Sequence, residues 1–527
     1  MALGEAASRK VRQALCHLGV TAFPPSWQYR VALSAHPAWI ETAAGQEAFF
    51  AAANLVCRLH PLITHVDIAL PGRVPNCTVV PLLPGDDFAE TLVDFLGSIG
   101  TLTEVTRVEQ VREAESILAL GPVPVPSDRA ATCYFESVGW VAHLTRRAET
   151  LVEPWQGSSP IGAFLAGGLV AAEAVKHTLL RITSIPTVQV VTDELWFSAW
   201  DYRWRHQTMP GNGPDLPDTL DVGRITVAGV GSGGMATIMA LASCRMLRGT
   251  ISLVDPDEVT SSNLDRLPGA LLRHATTRAP KVDVAAQILE GKGAELIPLA
   301  EAWNKVNRQL RHLGMLQCVV STVDNAPARW EIQADLPRDI LDAATNQSGE
   351  FFLTRVRFGQ TCCLGCIYEP DPSRDNEDRL LANALGLPIT DISNMVRDNA
   401  AFTKDQVARI RKSHQLPQGA TLPTEGQRIS DWRGQHCTQL RLPSDTIVPL
   451  APVTFLPGVL LAGELVKRNL SPKSMLDNRY VWNVLRLPAS HYPHVRSPRP
   501  GCNICGDSNY RTTYDREWGA TSRTQAS

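Results

Sequence analysis

The chain has 527 residues, of which 50 are Lys or Arg and 53 are Asp or Glu, so the formal net charge is −3. Apolar residues make up 44% and charged residues 20%, which allows a sizeable core and excludes wholesale disorder. The near-neutral balance, without a long Lys/Arg run, argues against nucleic-acid binding. At roughly 150 residues per domain, the length favours about three folding units.

No stretch has the pattern of a membrane span or a signal peptide. The most apolar run, 161–175, contains Glu173 and falls short of the roughly 20 residues that a span needs. Charged residues interrupt 1–20, where a signal peptide needs an unbroken apolar segment. We therefore expect a cytoplasmic protein without membrane contact, whose 12 cysteines are reduced or bound to metal.

The first part of the chain, 1–190, alternates strand and helix patterns. The strand patterns lie at 29–34, 65–70 and 116–120, and the helical patterns at 46–59 and 87–98. The segment after the first strand (AHPAW, 35–39) contains no glycine turn and so no cradle for a phosphate. We predict a degenerate α/β unit here.

An internal repeat relates the two halves. Residues 164–176 recur at 455–467, an offset of 291, with eight of 13 positions identical. Both copies have the pattern of a helix rich in small residues. Chance similarity of apolar helices is the alternative, but the shared Glu and Lys favour two copies of one architecture.

The second half shows the alternation of strands and helices more clearly. Strand patterns lie at 224–229, 250–254, 318–322 and 340–342, with a helical pattern at 235–245. This alternation predicts a parallel, doubly wound sheet. The predicted fold is α/β, with two Rossmann-like units forming a pseudo-dimer within the chain: 1–190 inactive, and 195–370 completed by 437–510 as the competent unit.

A glycine motif opens the competent unit. Gly229, Gly231 and Gly234 satisfy G-x-G-x-x-G between a strand and a helix, with Gly233 inside the motif, so backbone N–H groups can face a phosphate. Asp255 follows by about 20 residues, where a carboxylate can accept from a ribose hydroxyl. These features alone would suit any dinucleotide enzyme.

The polar residues beyond Asp255 suit a triphosphate better than hydride transfer, because cations offset phosphate charge and a carboxylate at a strand end can hold Mg²⁺. They are Asp257, Asn263, Arg266, Lys281 and Asp324. Taken singly, each has another interpretation: Arg266 and Lys281 as solvated surface charges, and Asp324 as the cap of a helix near 327.

Two C-x-x-C pairs predict a zinc site. Cys363 and Cys366 form one pair, and Cys502 and Cys505 form the other. Two thiolate pairs can share one tetrahedral Zn²⁺ and staple the C-terminus to the domain, although each pair alone could be a redox pair. Cys362 is the alternative to Cys363 as a ligand.

A long insert, 371–436, is rich in charge and proline and includes a helical pattern at 404–412 after a cap at Thr403. An insert of this length predicts a lid or a small subdomain. Cys437 follows it beside His436, and is either a core cysteine or a nucleophile. The polar segment 511–527 is predicted to be a loose tail.

Over 222–346 and 437–505 the sequence resembles the ubiquitin-activating (E1-like) superfamily, which includes the ThiF-type bacterial adenylyltransferases. The family pattern is a glycine loop, Asp-x-Asp-x-Val-x-x-Ser-Asn-x-x-Arg, a Lys and Asp-Asn. Here it is carried by the glycine loop and by Asp255, Asp257, Val259, Ser262, Asn263, Arg266, Lys281, Asp324 and Asn325. Leu267 and Ser321 depart from residues that the family often has.

The resemblance implies a role for each matched residue. Asp255 would hold the ribose, and Asp324 would bind Mg²⁺. The phosphate-binding residues would be Asn263, Arg266 and Lys281. Cys437 would be the acceptor cysteine. In the superfamily an arginine of one half reaches the nucleotide of the other, for which the candidates are Arg9, Arg12, Arg203 and Arg205.

The implied function is the ATP- and Mg²⁺-dependent adenylation of the C-terminal carboxylate of a ubiquitin-like protein. A thioester on Cys437 would follow, then transfer to an E2-like conjugating protein. The enzyme would be a monomeric pseudo-dimer or a higher assembly. Two alternatives remain open: an adenylyltransferase without a thioester step, serving sulfur-carrier activation or peptide maturation, and a binding scaffold with a vestigial nucleotide fold.

Overall fold

The computed structural model gives the fold of most of the chain. It describes residues 2–18, 20, 23–24, 26–70, 72–111, 113–124, 131–157, 159–182, 188–206, 209, 211–346, 348–368, 372–413, 415–416, 420–429, 431–433, 449–488 and 494–522.

Within the described ranges, fifteen strands form two sheets. The first sheet contains β1 (Arg30–Ala35), β2 (His65–Ala69), β3 (Glu104–Val108), β4 (Ser116–Leu120), β5 (Ala131–Val138), β6 (Val141–Thr145), β7 (Glu194–Ser198) and β8 (Trp204–Arg205). The second contains β9 (Thr219–Ala228), β10 (Met246–Val254), β11 (Glu295–Leu299), β12 (Cys318–Ser321), β13 (Asp339–Thr345), β14 (Glu350–Val356) and β15 (Arg479–Asn483).

The two sheets share one topology. Their orders are β3-β2-β1-β4-β5-β6-β7-β8 and β11-β10-β9-β12-β13-β14-β15. In each, the first five strands are parallel and the remaining strands antiparallel. The predicted fold class, two doubly wound units in one chain, is confirmed.

Sixteen α-helices are described around these sheets. They are α1 (Ala2–His17), α2 (Pro37–Ile40), α3 (Ala43–Val56), α4 (Phe88–Gly97), α5 (Pro160–Ile182), α6 (Ser232–Ala242), α7 (Leu272–Thr277), α8 (Lys281–Leu289), α9 (Trp303–His312), α10 (Ala326–Ala334), α11 (Leu364–Ile367), α12 (Pro372–Leu385), α13 (Ile389–Arg397), α14 (Lys404–Ser413), α15 (Ala451–Leu470) and α16 (Ser508–Ser522). Short 3₁₀ turns cover Ala148–Thr150, Ser261–Asn263, Met315–Gln317 and Pro472–Ser474.

The repeated segments form α5 and α15, which pack against each other between the two halves. The ring centroids of Phe164 and Phe455 lie 6.0 Å apart. A Cβ on Gly168 would come within 2.8 Å of Leu456, so the small residue permits the close approach. Helix α5 is long and apolar enough to cross a membrane, but 89% of its most apolar window is buried inside the protein, as in a core helix.

Each repeat helix carries the same buried ion pair. Lys176 lies 2.6 Å from Glu173 in α5, and Lys467 lies 2.7 Å from Glu464 in α15. The second carboxylate oxygen accepts from a backbone amide of the returning chain in both halves, at 2.9 Å and 2.8 Å. The Glu and Lys shared by the sequence repeat therefore have the same structural role in both halves: they form a buried ion pair and hold the backbone of the returning chain.

The first half replaces the glycine turn with a bulky segment. Backbone after β1 runs directly into α2, which His36 caps through Ala38 N–H. Trp39 packs on Gly121 at the carboxyl end of β4 and donates to Glu136 at 2.9 Å. The indole of Trp39 thus fills the space beside the turn after β1, at the carboxyl end of β4. That this unit cannot bind nucleotide stays a prediction.

The insert is a helical subdomain with its own apolar core. Thr403 and Gln406 cap the start of α14 reciprocally, as the sequence predicts. The core of α12, α13, α14 and the segment that follows them comprises Leu381, Leu385, Ile392, Phe402, Ile410, Ile429 and Trp432.

The C-terminal segment differs from the loose tail that the sequence predicts. Helix α16 covers residues 508–522. Tyr514 and Trp518 donate to the backbone carbonyls of Arg338 and Leu336 at 2.8 Å and 2.9 Å. Aromatic side chains spaced four apart reach one face of the domain and order a segment whose composition is polar.

Candidate functional site

The glycine loop joins β9 to α6. Gly229 has φ +85°, a conformation that glycine adopts without strain. A Cβ on Gly234 would stand 2.2 Å from the carbonyl oxygen of Gly229, so only glycine allows this packing. Gly231 caps α6 and faces open space, which leaves the helix N-terminus accessible to an anion.

Asp255 lies directly after β10 and beneath the loop. Its two oxygens accept from Val230 N–H at 2.6 Å and Asp257 N–H at 2.8 Å. Burial raises the pKa of Asp255 from 3.8 to about 6, although Lys281 and the amides oppose the shift. The backbone thus fixes the carboxylate at the edge of the loop.

Lys281 opens α8 and points back to the two aspartates. Its Nζ lies 2.7 Å from Asp257 Oδ2 and 3.8 Å from Asp255 Oδ1. Burial disfavours its charge, but the two carboxylates outweigh burial and raise the pKa of Lys281. The ammonium group is therefore charged in the neutral range, as phosphate binding requires.

Asn263 and Arg266 lie in the turn after the aspartates. The side chain of Asn263 accepts from Thr260 N–H at 3.0 Å and so fixes the turn. Arg266 donates to Ser262 O at 2.7 Å and to Asp265 at 2.6 Å. Both hydrogen bonds come from Nη1, so one end of the Arg266 guanidinium is fixed.

Asp324 follows β12 and is exposed at the mouth of the loop. The alternative that Asp324 caps the next helix is wrong, because Asn325 does so by accepting from Ala328 N–H at 2.9 Å. Asn325 also donates to Asp324 Oδ1 at 3.1 Å, and among the described residues no donor contacts the other oxygen.

These residues share one cleft of about 1660 Å³. The predicted residues along its wall are Gly229, Gly231, Gly233, Asp255, Asp257, Asn263, Arg266, Lys281 and Asp324. Gly234 is buried behind the loop rather than along the wall. A glycine turn, two carboxylates, two cations and a third carboxylate therefore face one space.

Of the four candidate arginines, Arg9 alone lines the cleft. Arg9 of α1 is exposed and lines the cleft, and in the described part of the chain it makes no ion pair. Arg12 instead lies 5.8 Å from the ring of Phe23. Arg203 lies 3.6 Å from Asp201, and neither it nor Arg205 lines the cleft.

The helical subdomain contributes residues to the cleft that the sequence analysis does not name. Asn399 donates to Asp257 at 2.8 Å, and Arg428 lies 3.6 Å from the same carboxylate. Burial opposes ionisation of Asp257, but Lys281, Asn399 and Arg428 outweigh it and lower its pKa. The insert therefore forms part of the cleft wall beside Asp257.

A second network, which the sequence analysis does not predict, centres on Asp342 in the middle of β13. Asp342 accepts from Arg329 at 3.0 Å, Ser321 at 2.7 Å and Tyr368 at 2.5 Å. Arg329 and Tyr368 line the cleft. One signal in the sequence could have identified Asp342: it is an acidic residue inside a strand that runs toward the cleft.

The four cysteines of the two C-x-x-C pairs come together. Their sulfurs all lie within 4.8 Å of one another, and neighbouring sulfurs are 3.3–3.6 Å apart. A tetrahedral site with Zn–S bonds of about 2.3 Å places sulfurs about 3.8 Å apart, so this buried all-thiol set fits Zn²⁺. Cys362 instead lies 3.3 Å from Asn478 and outside the cluster, so Cys363 is the member of the set.

Cys437 and His436 lie outside the described residues. The nearest described residues on the two sides are Arg433 and Pro449, and both line the cleft.

Comparison with known proteins matches residues 204–504 to the ThiF family. The chain belongs to the ThiF family. A ThiF-family adenylyltransferase uses ATP and Mg²⁺ and acts on a protein or peptide. A curated relative is the uncharacterized protein y4jF of Sinorhizobium fredii (strain NBRC 101917 / NGR234), 26% identical over 502 residues, which cover 90% of this chain and 89% of that protein.

Solved structures of E. coli MccB are also similar to this ThiF-family chain. The crystal structure with MccA-N7isoASN has a TM-score of 0.32 and 14% identity, covering 54% of this chain and 67% of that one. The structure with AMPCPP and SeMeT MccA has a TM-score of 0.32 and 15% identity, covering 55% and 67%.

Proposed function

We propose that this protein adenylates the C-terminal carboxylate of a ubiquitin-like protein in the cytoplasm and then accepts the acyl group on Cys437. The observation that carries the adenylation step is the convergence of Asp255, Arg266, Lys281 and Asp324 on one cleft beside the glycine loop. An isolated ribose site would need no such set of cations and carboxylates.

The charges of the cleft support a triphosphate rather than a dinucleotide. The N-terminus of α6 offers backbone N–H groups to a phosphate. Lys281 and Arg266 add cations fixed by buried or half-buried partners. Arg9 of the first half, for which the described residues offer no ion pair, adds a third cation. Preorganised cations stabilise charge that develops on a leaving pyrophosphate.

In the proposed reaction a carboxylate oxygen of the substrate attacks the α-phosphorus of ATP. A new P–O bond forms, the bond to the β-phosphate oxygen breaks, and pyrophosphate leaves with the electron pair. Arg266 and Lys281 would stabilise the charge on the phosphate oxygens.

Asp324 is the residue that would hold Mg²⁺. Its exposed carboxylate has an oxygen without a donor among the described residues, which suits a hard cation. When bound, Mg²⁺ would neutralise part of the phosphate charge.

The position of the insert supports a second step at Cys437. Arg433 lines the cleft, and Cys437 follows it by four residues, which span at most about 14 Å. The thiolate would attack the acyl carbon, forming a thioester and releasing AMP. An E2-like protein would accept the acyl group in a further thiol exchange.

Carrier-dependent exchange of labelled pyrophosphate into ATP tests the adenylation step. The candidate substrates are small proteins ending in glycine, sought among the products of neighbouring genes. We expect exchange by the native enzyme, a loss of about a hundredfold or more in Lys281→Gln, and native exchange in the exposed control Lys305→Gln. No exchange with any carrier would contradict the adenylation step.

Non-reducing electrophoresis with ATP and the same carriers tests the thioester. We expect a thiol-sensitive adduct that Cys437→Ala abolishes and Cys77→Ala, an exposed cysteine, retains. Full product formation by Cys437→Ala would instead identify an adenylyltransferase without a thioester step.

A further inference from the structure

Arg58 of the first half is fully buried inside the second half's phosphate-binding turn. It lies just after α3, with 0% exposure. Its guanidinium donates to the carbonyl oxygens of Leu264 at 2.7 Å and of Pro268 and Ala270 at 3.0 Å each. A fourth hydrogen bond goes to Asn54 at 2.9 Å.

Burying the Arg58 guanidinium costs free energy that a contact serving only to pack the two halves would not require. Among the described residues no carboxylate lies within ion-pairing distance of Arg58, so three carbonyl dipoles and one amide compensate its buried charge. Without the guanidinium these carbonyls would lose their donors, which costs more than a neutral surface contact. Asn54 also donates to Pro268 O at 3.0 Å and reinforces the same turn.

The turn that Arg58 holds is the one that carries the phosphate residues. Leu264 is adjacent to Asn263 and two residues before Arg266. Arg266 in turn bonds to Ser262 O and Asp265, so its direction depends on the backbone of this segment. Fixing the carbonyl of Leu264 therefore fixes the backbone between the two phosphate residues.

We infer that Arg58 is a positioning residue through which the degenerate half shapes the phosphate-binding turn of the competent half. The inference rests on the proposed function, since it assumes that Asn263 and Arg266 bind phosphates. It gives the first half, which has no glycine loop, a part in nucleotide binding beyond packing.

Lys292 provides a matched control. It crosses between the halves in the opposite direction, donating from the second half to Val79 O at 2.6 Å and also to Cys244 O at 3.2 Å. It is buried like Arg58 but does not line the cleft or contact the turn. Loss of either cation removes an inter-half contact, but only Arg58 bears on the phosphate residues.

Calorimetric titration of the full chain with Mg²⁺ and α,β-methylene ATP, and separately with adenosine, tests this inference. Arg58→Met is expected to weaken binding of the triphosphate about tenfold or more and to change adenosine affinity within about twofold. Lys292→Met is expected to bind both as the native protein does. Arg58→Lys keeps the charge but cannot span three carbonyls, so we expect a several-fold loss of triphosphate affinity.

Three results would overturn the inference. The first is native triphosphate affinity in a folded Arg58→Met or, if that variant does not fold, in Arg58→Lys. The second is an equal loss in Lys292→Met or for adenosine, which would show a general loss of inter-half packing. The third, no triphosphate binding by the native protein, would remove the proposed function itself and is distinguishable because it needs no variant.

Discussion

Asp255 makes the pH dependence of this protein testable at a single side chain. Burial raises its pKa to about 6 in the folded state, above its ordinary 3.8. The folded protein then binds a proton more tightly than the unfolded chain, so the stability from this group is present below about pH 4 and is lost as pH rises through about 6.

We predict that Asp255→Asn removes this dependence. The free energy of unfolding of the native protein minus that of the variant should fall by roughly 2.5 kcal/mol between pH 4 and pH 7, and urea unfolding of both proteins would measure it. Lost backbone hydrogen bonds shift the difference by a constant and do not affect its slope. A difference that is flat with pH would contradict the raised pKa.

At the residue scale, motif spacing in the sequence predicted those site residues that directly follow the ends of strands. Asp255 and Asp324 lie where parallel strands meet one sheet edge, so strand patterns sufficed to bring them together. Asn399 and Arg428 come from an insert without any periodic relation to the sheet, and only the fold brings them to Asp257. Roles of the site residues in binding stay predictions.

At the scale of elements, the cysteine cluster ties α16 to the domain body. We predict one Zn²⁺ per native chain, lost in Cys502→Ser, with a melting temperature lower by roughly 10 °C. Cys362→Ser, whose thiol lies beside Asn478 and outside the cluster, should keep the metal. Elemental analysis and thermal unfolding measure both. Metal retained by Cys502→Ser would contradict the four-thiolate site.

The helical subdomain is predicted to stabilise the bound nucleotide through Asp257. Removing both of its contacts in Asn399→Ala with Arg428→Ala should weaken binding of α,β-methylene ATP about threefold to tenfold, because Asp257 then loses partners that hold it beside Lys281. Arg409→Ala serves as the control, since Arg409 contacts Asp391 within the subdomain and lies off the cleft. Equal titration curves for the double variant and this control would contradict a role for the insert.

Helix and strand patterns identified most elements but not every boundary. The repeat predicted α5 and α15 because small residues with a shared Glu and Lys recur at a fixed offset. The helix after the glycine loop begins at Ser232, earlier than the pattern from 235, because glycines start the helix without an apolar signal. Helix α16 was missed because its order comes from contacts with a distant part of the chain.

At the scale of the whole molecule, the two halves share one architecture but differ at the turn after the first central strand, where the second half alone has a glycine loop. Sheet order, repeat helices and buried Glu–Lys pairs are shared. The first half has Trp39 in place of a glycine turn, and it contributes Arg9 and Arg58 to the second half's side of the interface. We therefore expect one nucleotide site per chain.

The most direct measurement of that claim is the stoichiometry of α,β-methylene ATP binding to the full chain in the presence of Mg²⁺. The account predicts one site per chain, abolished or weakened at least about a hundredfold in Lys281→Gln and unchanged in Lys305→Gln. Two sites per chain, or a single site that survives Lys281→Gln at native affinity, would contradict it.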